Sequence, residues 1–164
     1  MKHHAHGYTW FEVIGATAIM LMFIFGIVAL GRPIKNAQIA RDDVRTTELD
    51  SIQRAILELS YTDKEQYDEL IEAASAGRQM IGVGENCNVV AASDLCSKDA
   101  VKSSCLNLYD FGIGDLMDAV PADDLGRFDD NATGYYTEVR EDRLVIGACM
   151  PESRETLELN SPLK

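Results

Sequence analysis

The feature that most constrains this chain is an uncharged apolar run near its N-terminus. Residues 13–30 contain no Asp, Glu, Lys or Arg. As an α-helix they would be about 27 Å long, close to the ~30 Å hydrocarbon core of a bilayer. The run predicts a membrane-length helix. Without this helix and the short segment before it, about 130 of the 164 residues remain, which suffice for one small globular domain and not two.

A short polar leader precedes the apolar run and ends in a specific pattern. Gly7 is followed by the aromatic Tyr8, and the lone carboxylate Glu12 stands just before the run. This arrangement resembles the N-termini of type IV pilins and type II secretion pseudopilins. Trp10 and Phe11 stand where that family usually has leucine and isoleucine, and Tyr8 where it usually has phenylalanine.

The resemblance implies how the N-terminus is processed and used. A prepilin peptidase would remove the leader, residues 1–7, by cutting after Gly7, and would methylate the new N-terminus at Tyr8. Glu12 would be the carboxylate used in assembly, paired with the N-terminal amine of a neighbouring subunit. Such a partner is expected because an isolated carboxylate at the centre of a bilayer costs roughly 2.5–3.5 kcal/mol.

The resemblance also implies an α+β fold in which a long N-terminal helix packs on a small antiparallel β-sheet. Residues 8–31 would form a transmembrane and filament-core helix, residues 32–60 its amphipathic continuation, and residues 61–164 an exported globular domain. The subunit would lie in the inner (cytoplasmic) membrane before assembly. It would then self-assemble into a helical filament, extracellular or periplasmic, with the help of inner-membrane assembly machinery.

Two other interpretations of the N-terminus stay open. The run could anchor an extracellular binding or adhesion module that never polymerises, with Glu12 near the membrane interface. It could also be a secretory signal peptide cut near Ala29-Leu30-Gly31, although eighteen apolar residues exceed the usual core of about 7–15 and Glu12 precedes them.

Composition disfavours several classes of function. The net charge is −12, with 27 acidic against 15 basic residues, so no direct nucleic-acid binding is expected. All three histidines, His3, His4 and His6, lie in the leader. The mature chain would therefore lack histidine bases and ligands, and we predict neither an enzyme nor a cofactor.

Four cysteines, Cys87, Cys96, Cys105 and Cys149, follow the apolar run. An even number in a small exported domain predicts two disulfides, for which three connectivities exist. A four-thiolate zinc site usually needs close Cys-x-x-Cys pairs, which the spacings of nine, nine and forty-four residues do not provide. We favour the pairs Cys87–Cys96 and Cys105–Cys149.

Periodicity predicts that the first helix continues to about Ser60. Leu49, Ile52, Ile56 and Leu59 recur at three- and four-residue spacing and form one apolar stripe. The charged residues of this segment are assigned to its other faces: Arg41, Asp42, Asp43, Arg45, Glu48, Asp50 and Arg54.

Further elements follow. A capping-box pattern, Thr62-Asp63-Lys64-Glu65, predicts a second helix over residues 62–76. A brief strand is expected at residues 80–83 and a third short helix within residues 106–120. A last short strand is expected in the tail, residues 153–164.

The clearest strand signal is a β-hairpin over residues 134–149 with its turn at Glu141-Asp142. The alternating pattern predicts that Tyr135, Thr137 and Val139 face the core. Tyr136, Glu138 and Arg140 would then face water. The hairpin and the aspartate-rich segment before it also resemble the C-terminal halves of small bacterial pilin-like proteins.

That segment holds Asp123, Asp124, Asp129 and Asp130. Clustered carboxylates suit calcium, and some members of the family bind it in a loop near this position. A solvated acidic loop is the simpler interpretation and the one we favour.

Overall fold

The computed structural model describes residues 9–84, 87, 105–124 and 128–163, with the side chains of 29–33 left aside. The helices are α1 (Trp10–Thr62) and α2 (Lys64–Ser75), with 3-10 helices at Leu108–Phe111 and Ile113–Asp115. The strands are β1 (Gln79–Met80), β2 (Tyr135–Arg140), β3 (Arg143–Ala148) and β4 (Glu158–Pro162). These elements confirm an α+β chain with a long N-terminal helix and an antiparallel sheet. Contacts divide it into two units, residues 1–39 and 40–164.

The first unit contains the apolar part of α1. Residues Trp10–Val28 form a 19-residue stretch of mean hydropathy 2.3, and none of it is buried. Its length and composition suffice to cross a membrane, although an N-terminal signal sequence has the same properties.

The second unit is built around the predicted stripe of α1. Leu49 and Ile52 are fully buried, and the stripe packs in one core with the sheet residues Tyr135, Leu144 and Ile146. Burying such side chains contributes roughly 1.5–3 kcal/mol each, which explains why this half of the helix is amphipathic.

The N-cap of the second helix lies one residue later than the capping-box pattern predicts. The N-cap of α2 is Asp63, whose carboxylate accepts the backbone N–H of Gln66 at 3.1 Å. Thr62 still belongs to α1, and its hydroxyl donates to the Glu58 carbonyl at 3.0 Å. The Thr62 side chain is therefore engaged in the preceding helix and does not cap the next one.

The sheet has the order β1-β2-β3-β4, with every neighbouring pair antiparallel. The β2–β3 hairpin is confirmed, with Tyr135 opposite Ala148 and Arg140 opposite Arg143. Its two turn residues, Glu141 and Asp142, have φ values of 51° and 57°. Positive φ at both positions is the geometry of a type I′ turn, which matches the strand twist even without glycine.

The prediction that Tyr136 faces water is wrong. Tyr136 is buried in a second cluster on the other face of β2, made with Met80, Cys87, Phe128, Ala132 and Cys149. The Arg78 guanidinium lies 4.2 Å from the centre of its ring. The ring also covers Gly147, the residue opposite it on β3. The Tyr136 hydroxyl donates to Glu158 at 2.5 Å.

The segment predicted as a third helix forms two short 3-10 helices instead. Gly112, with a φ of 77°, separates them and caps the first, because its N–H donates back to the carbonyls of Leu108 and Tyr109. A left-handed residue ends a helix, so a continuous helix does not form here.

Candidate functional site

The N-terminal site is described from Thr9 onward, so Gly7 and Tyr8 lie outside the described residues. Glu12 occupies the first turn of α1. Its Oε2 accepts the Thr9 backbone N–H at 2.7 Å and the Thr9 hydroxyl at 3.0 Å. The Glu12 N–H in turn reaches the Thr9 Oγ1 at 3.4 Å. These reciprocal bonds form a capping box, in which the two side chains satisfy donors at the helix N-terminus.

The capping box fixes the direction of the Glu12 side chain. Because it bonds a residue three positions earlier, the carboxylate is turned back towards the N-terminus of the helix, away from the apolar run. Glu12 thus has a hydrogen-bond donor within its own chain.

The four aspartates considered for calcium do not converge. Asp123 is buried and paired with an arginine. Asp129 uses its carboxylate to accept the N–H groups of Asn131 and Ala132 at 2.9 and 3.2 Å. Asp124 and Asp130 are exposed. Among the described residues no group of three or more His, Cys, Asp or Glu side chains is placed to hold a metal. The prediction of a solvated acidic loop is wrong for Asp123.

Arg45, the arginine paired with Asp123, lies at the centre of a buried ionic cluster. Its Nε and Nη2 donate to the two carboxylate oxygens of Asp123 at 2.9 and 3.1 Å. Its Nη1 donates to Asp42 at 2.7 Å, and Nη2 also reaches Glu152 at 3.1 Å. The Arg45 side chain is only 2% exposed. Burial lowers the pKa of Arg45, but the bonds to Asp123 and Asp42 outweigh it and raise the pKa above the ordinary arginine value.

Asp42 fastens the β3–β4 connection to α1. Its carboxylate accepts the backbone N–H groups of Glu152 and Ser153 at 3.0 and 2.7 Å and the Ser153 hydroxyl at 2.6 Å. Burial by itself would raise the pKa of Asp42. The bonds from Ser153, the Glu152 N–H and Arg45 prevail and lower it to about 2. Asp42 is therefore ionised at neutral pH and acts as an anchor, not as a proton donor.

The assignment of Asp42 and Arg45 to faces other than the apolar stripe is wrong, since they are buried with it, at 0% and 2% exposure. A signal for this burial is present in the sequence. Positions 42 and 45 extend the stripe of Leu49 and Ile52 backwards with the same three- and four-residue spacing. Their polarity is compatible with burial because each charge is paired and hydrogen-bonded.

The favoured disulfide connectivity is also wrong. Cys87 is bonded to Cys105, with their Cα atoms 5.2 Å apart. Cys149 is disulfide-bonded as well, and Cys96 lies outside the described residues.

Backbone pairing explains the observed disulfide. The Leu106 N–H donates to the Met80 carbonyl at 2.7 Å, and the Cys105 N–H donates to the Gly84 carbonyl at 3.3 Å. The chain at 105–106 therefore lies beside 80–84, which brings Cys105 next to Cys87.

Comparisons of the chain with family models, curated proteins and solved structures found no match. The described features that bear on function are thus the exposed apolar half of α1, the capped Glu12 at its start, and the disulfide-bonded unit that follows.

Proposed function

We propose that this chain is a structural subunit of a type IV pilus-like or type II secretion pseudopilus filament. A prepilin peptidase would cut between Gly7 and Tyr8, and the mature subunit would polymerise through α1. The observation that carries the proposal is the Gly7-Tyr8 and Glu12 pattern at the start of a helix that is apolar, membrane-length and unburied.

The apolar half of α1 is exposed, which supports the proposal that this part of the helix lies in an apolar environment. Large side chains such as Met22, Phe23 and Phe25 are 76%, 69% and 72% exposed. Leaving them in water is unfavourable by roughly 25 cal/mol for each Å² of apolar surface. Lipid would cover this surface before assembly, and helices of neighbouring subunits would cover it in a filament.

The disulfides of the second unit support its export. Cys87–Cys105 is formed, Cys149 is also bonded, and no free cysteine is found among the described residues. Disulfides persist in oxidising compartments and are rare in the cytosol. A membrane helix followed by a disulfide-bonded unit is the order required of a subunit exposed outside the cytoplasm.

One observation favours a second candidate, a membrane-anchored binding module that does not polymerise. Glu12 already accepts two hydrogen bonds from Thr9, so it has a local role that needs no neighbouring subunit. In that case Glu12 would serve only as a capping residue.

Recovery of the wild-type chain in a sheared-filament fraction separates the candidates, because a module that does not polymerise would be absent from it. Two substitutions of Glu12 then test its role in assembly. Glu12→Gln keeps an oxygen acceptor for Thr9 but removes the charge, and Glu12→Ala removes both. If the charge pairs with a neighbouring amine, both variants remain in the membrane fraction and both lose incorporation into sheared filaments. Incorporation of both variants at the wild-type level would contradict an assembly role for Glu12.

A further inference from the structure

Two large aromatic side chains stand at the first turn of α1. Trp10 is 76% exposed and Phe11 is 85% exposed, and Trp10 is the first residue of the membrane-length stretch. It is also the only tryptophan of the chain. Tryptophan has an apolar ring and one N–H donor, and it is enriched where a helix crosses the boundary between lipid chains and headgroups.

The hydrogen bonds of the same turn favour a position of Glu12 close to the lipid headgroups, at about the depth of Trp10. The Glu12 carboxylate bonds the Thr9 N–H at 2.7 Å and the Thr9 hydroxyl at 3.0 Å. It is therefore held on the leader side of its own backbone, away from the apolar run. A carboxylate at the bilayer centre costs roughly 2.5–3.5 kcal/mol, and this cost falls towards the interface.

The length of the apolar stretch is compatible with this placement. From Trp10 to Val28 a helix rises about 27 Å, close to the ~30 Å hydrocarbon core. With Trp10 at one boundary, Val28 reaches the other, and Glu12 lies only about 3 Å deeper than Trp10 along the axis. The stretch can thus fill the membrane while Glu12 stays close to the headgroups.

We propose that Thr9, Trp10, Phe11 and Glu12 form an interfacial collar that docks on the headgroup boundary of a phospholipid bilayer and sets the depth of Glu12 before assembly. The proposal rests on the membrane anchoring in the proposed function, but it does not require filament formation. The partner of the collar is the phospholipid interface, not a second copy of the chain. The ring and N–H of Trp10 match an apolar and a polar layer, and the Glu12 carboxylate turns towards the polar one.

The single tryptophan allows a direct test. The full chain is reconstituted in vesicles of phosphatidylcholine and phosphatidylglycerol, with lipids brominated near the headgroup, at mid-chain or near the methyl end. The collar predicts that Trp10 fluorescence is quenched most by bromine near the headgroup. A matched control, Trp10→Phe combined with Phe23→Trp, moves the indole to the middle of the stretch and should be quenched most by the deeper bromines.

The role of the capping box is tested with Glu12→Leu. Without the carboxylate, we expect the N-terminal end of the helix to move deeper into the bilayer. The strongest quenching of Trp10 then shifts towards the lipids brominated at the middle of the acyl chain. An unchanged maximum would overturn the depth-setting role of Glu12. Strongest quenching of wild-type Trp10 by deep bromines would overturn the collar while leaving the membrane anchor intact. Equal quenching by aqueous iodide with and without vesicles would overturn the collar and the anchor together.

Discussion

Removal of the Arg45 charge tests the buried ionic cluster most sharply. In Arg45→Met the apolar stem is largely kept, but Asp42 and Asp123 stay in the interior without their guanidinium partner. Both carboxylates are nearly inaccessible, at 0% and 3% exposure. Breaking a buried ion pair by removing one partner typically costs about 3–5 kcal/mol. Since small domains have total stabilities of about 5–15 kcal/mol, we expect Arg45→Met to lose a large fraction of its free energy of unfolding.

The same helix provides a matched control. Arg54 pairs with Asp50 at 2.7 Å, but its side chain is 77% exposed. Exposed pairs contribute about 0.2–1 kcal/mol, so Arg54→Met should change stability by less than about 1 kcal/mol. The assay is urea unfolding of the full chain in detergent, followed by near-ultraviolet circular dichroism of the buried tyrosines. An equal loss in the two variants would refute the assignment of Arg45 as a buried structural charge.

Three further predictions concern single groups, and the same unfolding assay measures each. The pKa of Asp42 falls from the ordinary 3.8 to about 2 on folding. Its contribution, about 2 kcal/mol, is therefore present above pH ~4 and is lost as the pH falls to ~2; Asp42→Asn should remove this part of the pH dependence, and an unaltered acid profile would contradict it. The Thr137 hydroxyl is buried and has no hydrogen-bond partner in the described part of the chain, whereas Thr133 donates to the Ile81 carbonyl at 2.7 Å. Thr137→Val should therefore stabilise by about 1 kcal/mol and Thr133→Val should destabilise by a similar amount, and a common sign would refute the difference. A Cβ at Gly147 would lie 2.5 Å from the tip of the Tyr136 ring, so Gly147→Ala should cost about 1–3 kcal/mol, and a neutral effect would show that the ring moves freely.

Local patterns in the sequence predicted the parts of the fold that depend on neighbouring residues. The stripe of Leu49 and Ile52 fixed one buried face of α1, and the alternating residues around Glu141-Asp142 fixed the β2–β3 hairpin. The Thr9–Glu12 capping box is equally local: Thr9-Trp10-Phe11-Glu12 matches the Ser/Thr-x-x-Glu pattern, a signal separate from the assembly role that the resemblance implies for Glu12.

The errors concern contacts between residues far apart in the chain. Arg45 is buried because it meets Asp123 and Glu152, which lie 78 and 107 residues away. Tyr136 is buried because Arg78 and the cluster around Phe128 cover the second face of β2. Sequence periodicity does not show which distant residue contacts a given side chain. Polarity and alternation alone therefore predict the wrong exposure for Arg45 and Tyr136.

The disulfide pairing also depends on a contact between segments that are distant in the sequence. The sequence favours a local loop closed by Cys87–Cys96, but the bond is decided by which backbone segments pair. The parallel bridge between Ile81 and Leu106 places Cys105 beside Cys87. A parallel contact of this kind has no short-range sequence signature, unlike the two-residue turn of a hairpin.

The most direct test of the filament proposal is the intact mass and N-terminal sequence of the chain from a membrane or sheared-filament fraction. The proposal predicts a mature N-terminus at Tyr8 carrying the added mass of one methyl group. An N-terminus at Met1 would indicate a plain membrane anchor. An N-terminus near Arg32 would indicate a secreted domain, and either result would contradict processing by a prepilin peptidase.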